Sequence, residues 1–357
     1  MQYIGNKQSL VNSIFKIMKD NKVEGNVFLD VFAGTQSVGI FFKEKGYQVY
    51  SNDWQKYSYV LGKAYIENNA YPNFENICGY LHIEKSYESI LNYLNNIEPL
   101  EGFFYNYYCP TGSADKEFQR LYFLDENGKK FDAIRTKIEE WKNSNFINEN
   151  EYYVLLATLI EAMDKVSNTT SVYGAFLKNF KDASAKIFEL KPLNLILSEK
   201  DNATYCLSAE DFVEQIKGDI VYLDPPYNAR QYASNYHVLE TMALYDNPVL
   251  YGKTGTREYV NQKSDFCSKV KVKEAFSKLI EKIVKNGNKY VVMSYNNEGL
   301  LKEEEIINIM KEYGSVIKEE IDYKRFRADK DGEKRKYKGD RVKELVFILT
   351  INKKDTH

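Results

Sequence analysis

Asp224, Pro225, Pro226 and Tyr227 stand together at the end of an apolar run, residues 220–223. Proline donates nothing to a sheet ladder and fixes φ near −65°. The pair therefore ends a buried strand at its carboxyl edge, where open α/β sheets bind ligands. The rigid turn holds the Asp224 carboxylate and the Pro225 carbonyl outward, two acceptors without a donor, and Tyr227 adds a flat aromatic face. That combination matches an exocyclic NH2 on a planar heterocycle, which donates two hydrogen bonds and stacks on the ring. Acceptors placed off the ring plane favour a pyramidal nitrogen with its lone pair free to attack, an electrostatic preorganisation rather than strong-base catalysis. A strand-ending turn with Asp224 as a cap is the plainer alternative.

A second constellation lies near the N-terminus. In "FLDVFAGTQSVG" (28–39) Gly34 falls just after a short apolar strand and just before a helix. Backbone N–H groups and a helix N-terminus can approach a polar ligand at such a turn. The segment lacks a full GxGxxG and the lysine of a phosphate-binding loop. Asp53 ends the next strand, about 20 residues on, where an acid can bind ribose hydroxyls. Glycine turn and acid together suggest an adenosine-containing cofactor, without separating a nicotinamide dinucleotide from S-adenosyl-L-methionine.

These groups need a scaffold, and the pattern around them supplies one. Strands are expected at 27–32, 48–51, 204–207, 220–223 and 290–294, with helices at 37–45, 54–68, 209–217 and 272–286. The alternation predicts a mainly parallel sheet covered by helices on both faces. The end differs: 315–323 and 344–351 are extended runs with no helix between them, read as an antiparallel pair. The middle, 71–195, breaks the alternation with Tyr-rich loops at 102–112 and an amphipathic helix at 151–166. It reads as an insertion, so the expected domains are 1–70 with 196–357, and 71–195.

Bulk properties bound the rest. Of 357 residues, 43% are hydrophobic and 28% charged, values of a globular protein. The net charge of −2 gives no global basic field, so a nucleic-acid partner needs a local one. Residues 324–343 provide it, with ten Lys and Arg against four Asp and Glu. Charge runs are also commonly solvated loops. Four scattered cysteines with no CxxC spacing argue against a metal site or disulfide framework and suit a reducing, cytoplasmic setting. No signal-peptide pattern or membrane-length apolar run is expected.

The run from Asp224 through "NARQYASNYHVLE" (228–240) resembles the D12-class N6-adenine DNA methyltransferases, in particular type II modification enzymes. The resemblance implies a Rossmann-like seven-strand methyltransferase sheet ending in an antiparallel hairpin, with an inserted, mainly helical target-recognition region. It implies S-adenosyl-L-methionine as cofactor and double-stranded DNA as partner, and leaves open whether a cognate restriction endonuclease belongs to the same system. "YIGNK" (3–7) looks like the opening motif and puts Tyr3, Gly5 and Lys7 near the methionine part of the cofactor. "DVFAGTQSVG" resembles the cofactor loop, with Asp30, Phe32, Ala33 and Gly34 close to it. Gln36 stands there where the pattern usually has Gly, so its side chain either crowds the cofactor or turns to solvent.

Asp53 resembles the ribose acid. Asp211, in "SAEDF" (208–212), would take the cofactor's adenine amino group, though a first-turn helix acid is its local alternative. Asp224, Pro225, Pro226 and Tyr227 form the catalytic motif. "YKRFR" (323–327) resembles the late motif, so Tyr323, Lys324, Arg325, Phe326 and Arg327 would face DNA, with Arg230 beside the catalytic turn. Lys165, Lys178 and Lys181 with Tyr173 would suit a DNA-facing surface. Recognition of the target sequence is expected from the insertion and the 228–270 loop.

The implied reaction needs neither metal nor covalent intermediate, and no Cys follows the proline pair, against a cytosine-C5 mechanism. Two rivals remain at this level. One is an RNA, cytosine-N4 or glutamine amino methyltransferase of the same fold. The other is a decayed DNA-binding relative with Gln36 as its lesion.

Overall fold

The computed structural model describes residues 5–324 and 341–352. Tyr3, Arg325, Phe326 and Arg327 lie outside the described residues, as does most of the basic run. Residue contacts divide the chain into two units, one of 6–54, 200–232 and 262–357, the other of 1–5, 55–199 and 233–261. The segments 55–70 and 233–261, expected with the sheet, thus cluster with the helical residues.

The first unit is built on a seven-stranded sheet. Its strands are β1 (Val27–Asp30), β2 (Gln48–Asn52), β3 (Ala203–Tyr205), β4 (Ile220–Leu223), β7 (Tyr290–Asn296), β8 (Gly314–Lys324) and β9 (Arg341–Ile351). The order is β3-β2-β1-β4-β7-β9-β8. β3, β2, β1, β4 and β7 pair in parallel, whereas β9 is antiparallel to both β7 and β8. β4 is buried along its whole length, as a central parallel strand covered on both faces must be. Amphipathic helices supply the cover. In Val272–Lys285, for example, Val272, Ala275, Phe276, Leu279, Ile280 and Ile283 are the buried positions, a helical repeat facing the sheet. The chain runs outward from β1 through β2 and β3, then returns to β4 and continues on the other side. The order therefore reverses between β1 and β4, which makes their carboxyl ends the binding crevice of such a sheet.

The opposite end of the same two strands is locked by a half-buried cap. Asp219 Oδ2 accepts from the Asn26 and Val27 amides at 2.8 and 3.0 Å, and Oδ1 pairs with Lys289 at 2.6 Å. A Cβ at Gly25 would fall 2.4 Å from the Asp219 Cβ, so this cap requires glycine.

The second unit is mainly helical. Its longest helices are Asp125–Asn143 and Glu149–Lys165, the latter begun by an Asn148–Glu151 capping box. It also carries a short hairpin of β5 (Leu250–Tyr251) and β6 (Thr256–Arg257). The Tyr-rich segment expected as loop contains a helix, Phe103–Tyr108. The physical reason is distant in sequence: the buried Asp132 carboxylate accepts from the Phe104 and Tyr105 amides, each at 2.9 Å. Burial lifts the Asp132 pKa to about 6. Among the described residues no helix is long and apolar enough to cross a membrane.

Candidate active site

Three carboxylates gather at the carboxyl ends of adjacent strands in the first unit. Asp30 is the last residue of β1, Asp53 follows β2, and Asp224 follows β4. Asp30 is in register with Tyr222, and the Val31 amide bonds the Tyr222 carbonyl at 3.2 Å. Asp224 thus leaves the sheet beside the turn that follows β1.

That turn is shaped by two left-handed residues. Gly34 has φ +51 and Gln36 has φ +65, and the Gln36 amide closes the turn on the Ala33 carbonyl at 2.7 Å. The Gly34 amide donates to Asp53 Oδ2 at 2.8 Å, and the Ala33 amide to the Asn52 carbonyl at 2.9 Å. Gln36 is 0% exposed. Its side chain therefore does not turn to solvent, which corrects one of the two expectations for it. Asn52 ties the neighbouring strand ends, with Nδ2 on the carbonyls of Val31 and Leu207 and Oδ1 on the Leu207 amide.

Asp30 is buried at the base of the turn. Its Oδ2 accepts from the Gly39 amide at 3.1 Å, and its Oδ1 has no hydrogen-bond partner among the described residues. Burial first, then the charges of Asp224 and Asp53, push its pKa to about 8.

Asp224 is engaged by a group the sequence assigned differently. Lys7 Nζ lies 3.0 Å from Asp224 Oδ1 and 3.1 Å from Glu344 Oε1, and the Lys7 side chain is only 5% exposed. Two carboxylates hold the ammonium charged despite burial, and its pKa stands well above the usual lysine value. Asp224 keeps an exposed edge, 19% of its side chain. Burial raises its pKa to about 6, with Glu344 adding to the rise and Lys7 opposing it. Glu344, on β9, also accepts from the Ser294 hydroxyl on β7. Sequence reasoning missed Glu344. The signal was a charge heading a strand whose next residues, Leu345 to Leu349, are all buried.

The remaining expected residues fall as follows. Pro225 is buried, Pro226 and Tyr227 half-buried, and Tyr227 packs against the sheet core while its carbonyl accepts from the Leu300 amide at 3.1 Å. Phe32 meets Phe266 edge-on at 5.2 Å, and Ala33 is buried. Gly5 has φ +79. Asp211 is exposed and reciprocally bonded to Ser208, its amide donating to the serine hydroxyl and its carboxylate accepting from it. That is a helix-capping arrangement. Arg230 is exposed, and the loop beyond it is pinned by paired bonds between the Gln231 amide group and the Ser264 backbone. Tyr323 and Lys324 end β8, paired with Val342 and Arg341.

The 164–180 segment is only in part the surface the sequence suggested: Lys165 and Lys178 are exposed, whereas Tyr173 is not. Tyr173 is 1% exposed, and its carbonyl accepts from Tyr122 and lies 3.0 Å from His237 Nε2. Asn168 is buried and bonds the carbonyls of Leu121 and Leu177, and Lys181 Nζ bonds the Thr169 carbonyl. These polar groups knit a buried loop.

Comparisons with known proteins agree with this arrangement. Residues 3–309 match the family D12 class N6 adenine-specific DNA methyltransferase. The chain is 43% identical to the type II methyltransferase M.NlaIII of Neisseria lactamica, over 98% of this chain and 99% of that one. It is 41% identical to modification methylase StsI of Streptococcus sanguinis and 43% to the type II methyltransferase M.FokI of Planomicrobium okeanokoites. Those matches cover 98% and 88% of this chain but 52% and 47% of theirs, so the chain spans about half their length. The Asp224-Pro225-Pro226-Tyr227 turn, the glycine turn, the sheet order and the sequence likeness lead to one assignment: the chain belongs to the D12 class N6 adenine-specific DNA methyltransferases.

Proposed function

We propose that this chain transfers a methyl group from S-adenosyl-L-methionine to adenine N6 at one short DNA sequence, with the adenine flipped out of the duplex. The observation that carries the reading is Asp224, placed by β4 at the sheet's switch point and held by a buried lysine. The residues fit the cofactor's chemistry. The Gly34 turn offers backbone at close range, Asp53 stands at the end of β2 for ribose, and Asp30 lies buried at the base of the same turn. Phe32, Ala33 and Lys7 are further candidates for holding the cofactor, as the family resemblance makes Tyr3 and Gly5, with Asp211 as candidate for the cofactor adenine. When bound, the cofactor supplies an electrophilic methyl group on a cationic sulfur.

Asp224 and the Pro225 carbonyl accept the two N6 hydrogens, Pro226 stiffens the turn, and Tyr227 stacks on the base. Extruding the adenine costs a few kcal/mol, offset by these contacts. The N6 lone pair forms the new N–C bond as the S–C bond breaks, with its electrons staying on sulfur. The nitrogen then loses a proton to solvent. Tyr323, Lys324, Arg325, Phe326, Arg327 and Arg230 are the candidates for the DNA contact. The helical unit and the 228–270 loop are the candidates for reading base edges in the major groove. A cytoplasmic modification enzyme with a cognate endonuclease is the cellular setting that fits.

Purified protein incubated with S-adenosyl-L-methionine and unmethylated DNA, followed by nucleoside mass spectrometry, tests the reading. N6-methyladenine is the expected product. N4-methylcytosine, or a product only on RNA, would overturn it.

A further inference from the structure

We propose that Glu344 is a positioning residue for methyl transfer: by sharing the Lys7 ammonium it keeps Asp224 a full-strength acceptor for the attacking amino group. The inference rests on the reading of Asp224 just given.

A lysine paired with Asp224 alone would form a neutral couple. A neutral couple offers little to a nitrogen that turns cationic as it takes the methyl group. Lys7 instead lies almost equally far from two carboxylates, 3.0 Å from Asp224 and 3.1 Å from Glu344. One cation between two anions leaves the cluster with a net single negative charge. It sits where water is scarce and electrostatic interactions are strong. Asp224 is the member with an exposed edge, so that charge is presented at the catalytic turn. Glu344 is 1% exposed and acts through Lys7 and through its own charge on Asp224.

The position of Glu344 also needs explaining. A buried carboxylate costs free energy unless it is paired and hydrogen-bonded, and the five residues after it, Leu345 to Leu349, are apolar and buried. Here the side chain has both partners, Lys7 and the Ser294 hydroxyl. The Ser294 bond fixes the carboxylate against β7, so Lys7 is drawn to one place rather than collapsing onto Asp224.

The charged and titratable groups facing Asp224 are Lys7 from the N-terminal segment, Glu344 from β9, Tyr222 from β4 and Asp30 from β1. Glu344 raises the proton affinity of Asp224 and Lys7 lowers it. The two therefore have opposite signatures in the acid limb of the methylation rate. Glu344→Gln keeps an oxygen for Ser294 to bond, yet removes the charge. It should move the acid limb to lower pH and cut the plateau rate of single-turnover methylation at least tenfold, with S-adenosyl-L-methionine affinity within a few-fold of wild type. Lys7→Met should move the limb to higher pH. Glu344→Asp, which keeps the charge but withdraws it, should shift the limb less and lose less rate.

A folded Glu344→Gln protein with unchanged plateau and limb would overturn the inference, as would shifts in the same direction for Glu344→Gln and Lys7→Met. If Glu344→Gln does not fold, Glu344→Asp decides: a wild-type limb and rate overturn the inference. Wild-type protein that makes no N6-methyladenine at any pH would instead sink the underlying reading.

Discussion

Lys7 and Asp224, far apart in sequence, form an ion pair at 3.0 Å with the lysine all but buried. The catalytic turn is therefore held from two sides, by the strand that precedes it and by the N-terminal segment that delivers the ammonium.

The pair makes activity pH-dependent. On the proposed function Asp224 accepts hydrogen bonds from N6 only as a carboxylate, and its pKa is raised to about 6, by burial first. The chemical step should therefore fall about tenfold per pH unit well below the midpoint. A single-turnover pH profile should show an acid limb centred near 6. A limb near the ordinary aspartate value would contradict the burial argument.

Removing Lys7 should cost stability as well as rate. Lys7→Met leaves Asp224 and Glu344 facing one another with no cation. Breaking a buried pair in this way costs about 3–5 kcal/mol. The sign follows from Asp224: without the ammonium that opposes the rise, its carboxyl stays protonated in the fold to higher pH, so the deficit grows as pH rises. Urea unfolding should show a larger loss at pH 8 than at pH 5.

Much of this site was legible in the sequence, and the limits have physical causes. The proline pair, the Gly34 turn and the strand alternation are local signals, so the carboxyl-edge site and the parallel sheet could be read directly. The terminal antiparallel pair was legible too, but its insertion order, with β9 between β7 and β8, is set by tertiary pairing. The Lys7–Glu344 contact joins chain ends and leaves no spacing to detect. The helix at Phe103–Tyr108 was hidden because its cap, Asp132, comes from another helix. Tyr173 was misread because a Tyr among exposed lysines reads as surface, whereas its ring is buried and its backbone is tied to Tyr122 and His237.

Asp30 provides a separate test. In the fold its pKa is about 8, raised by burial and by the charges of Asp224 and Asp53, against about 3.9 when unfolded. The folded protein thus takes up a proton, and the stability contribution of Asp30 declines as pH rises from about 4 to 8. Asp30→Asn removes that decline and keeps an acceptor for the Gly39 amide. Its melting temperature should exceed that of wild type more at pH 8.5 than at pH 5. Equal differences at both would show Asp30 to be ordinary.

The extended motif after the catalytic turn has a structural component. Glu240 is buried, and its two oxygens accept from the Lys56 and Tyr57 amides, each at 3.0 Å, capping the helix Lys56–Gly62. Glu240→Ala should destabilise by about 1–3 kcal/mol, seen as a lower urea midpoint with an unchanged slope. A change below about 0.5 kcal/mol would remove the cap from the account.

The central claim is that Asp224 delivers a flipped adenine's N6 to the methyl donor. Wild type and Asp224→Ala should be incubated with S-adenosyl-L-methionine and unmethylated genomic DNA, and modified bases read by single-molecule sequencing. The account predicts N6-methyladenine at one short motif with wild type and a loss of at least about a hundredfold with Asp224→Ala, while the variant stays folded. Comparable methylation by the folded variant would contradict it.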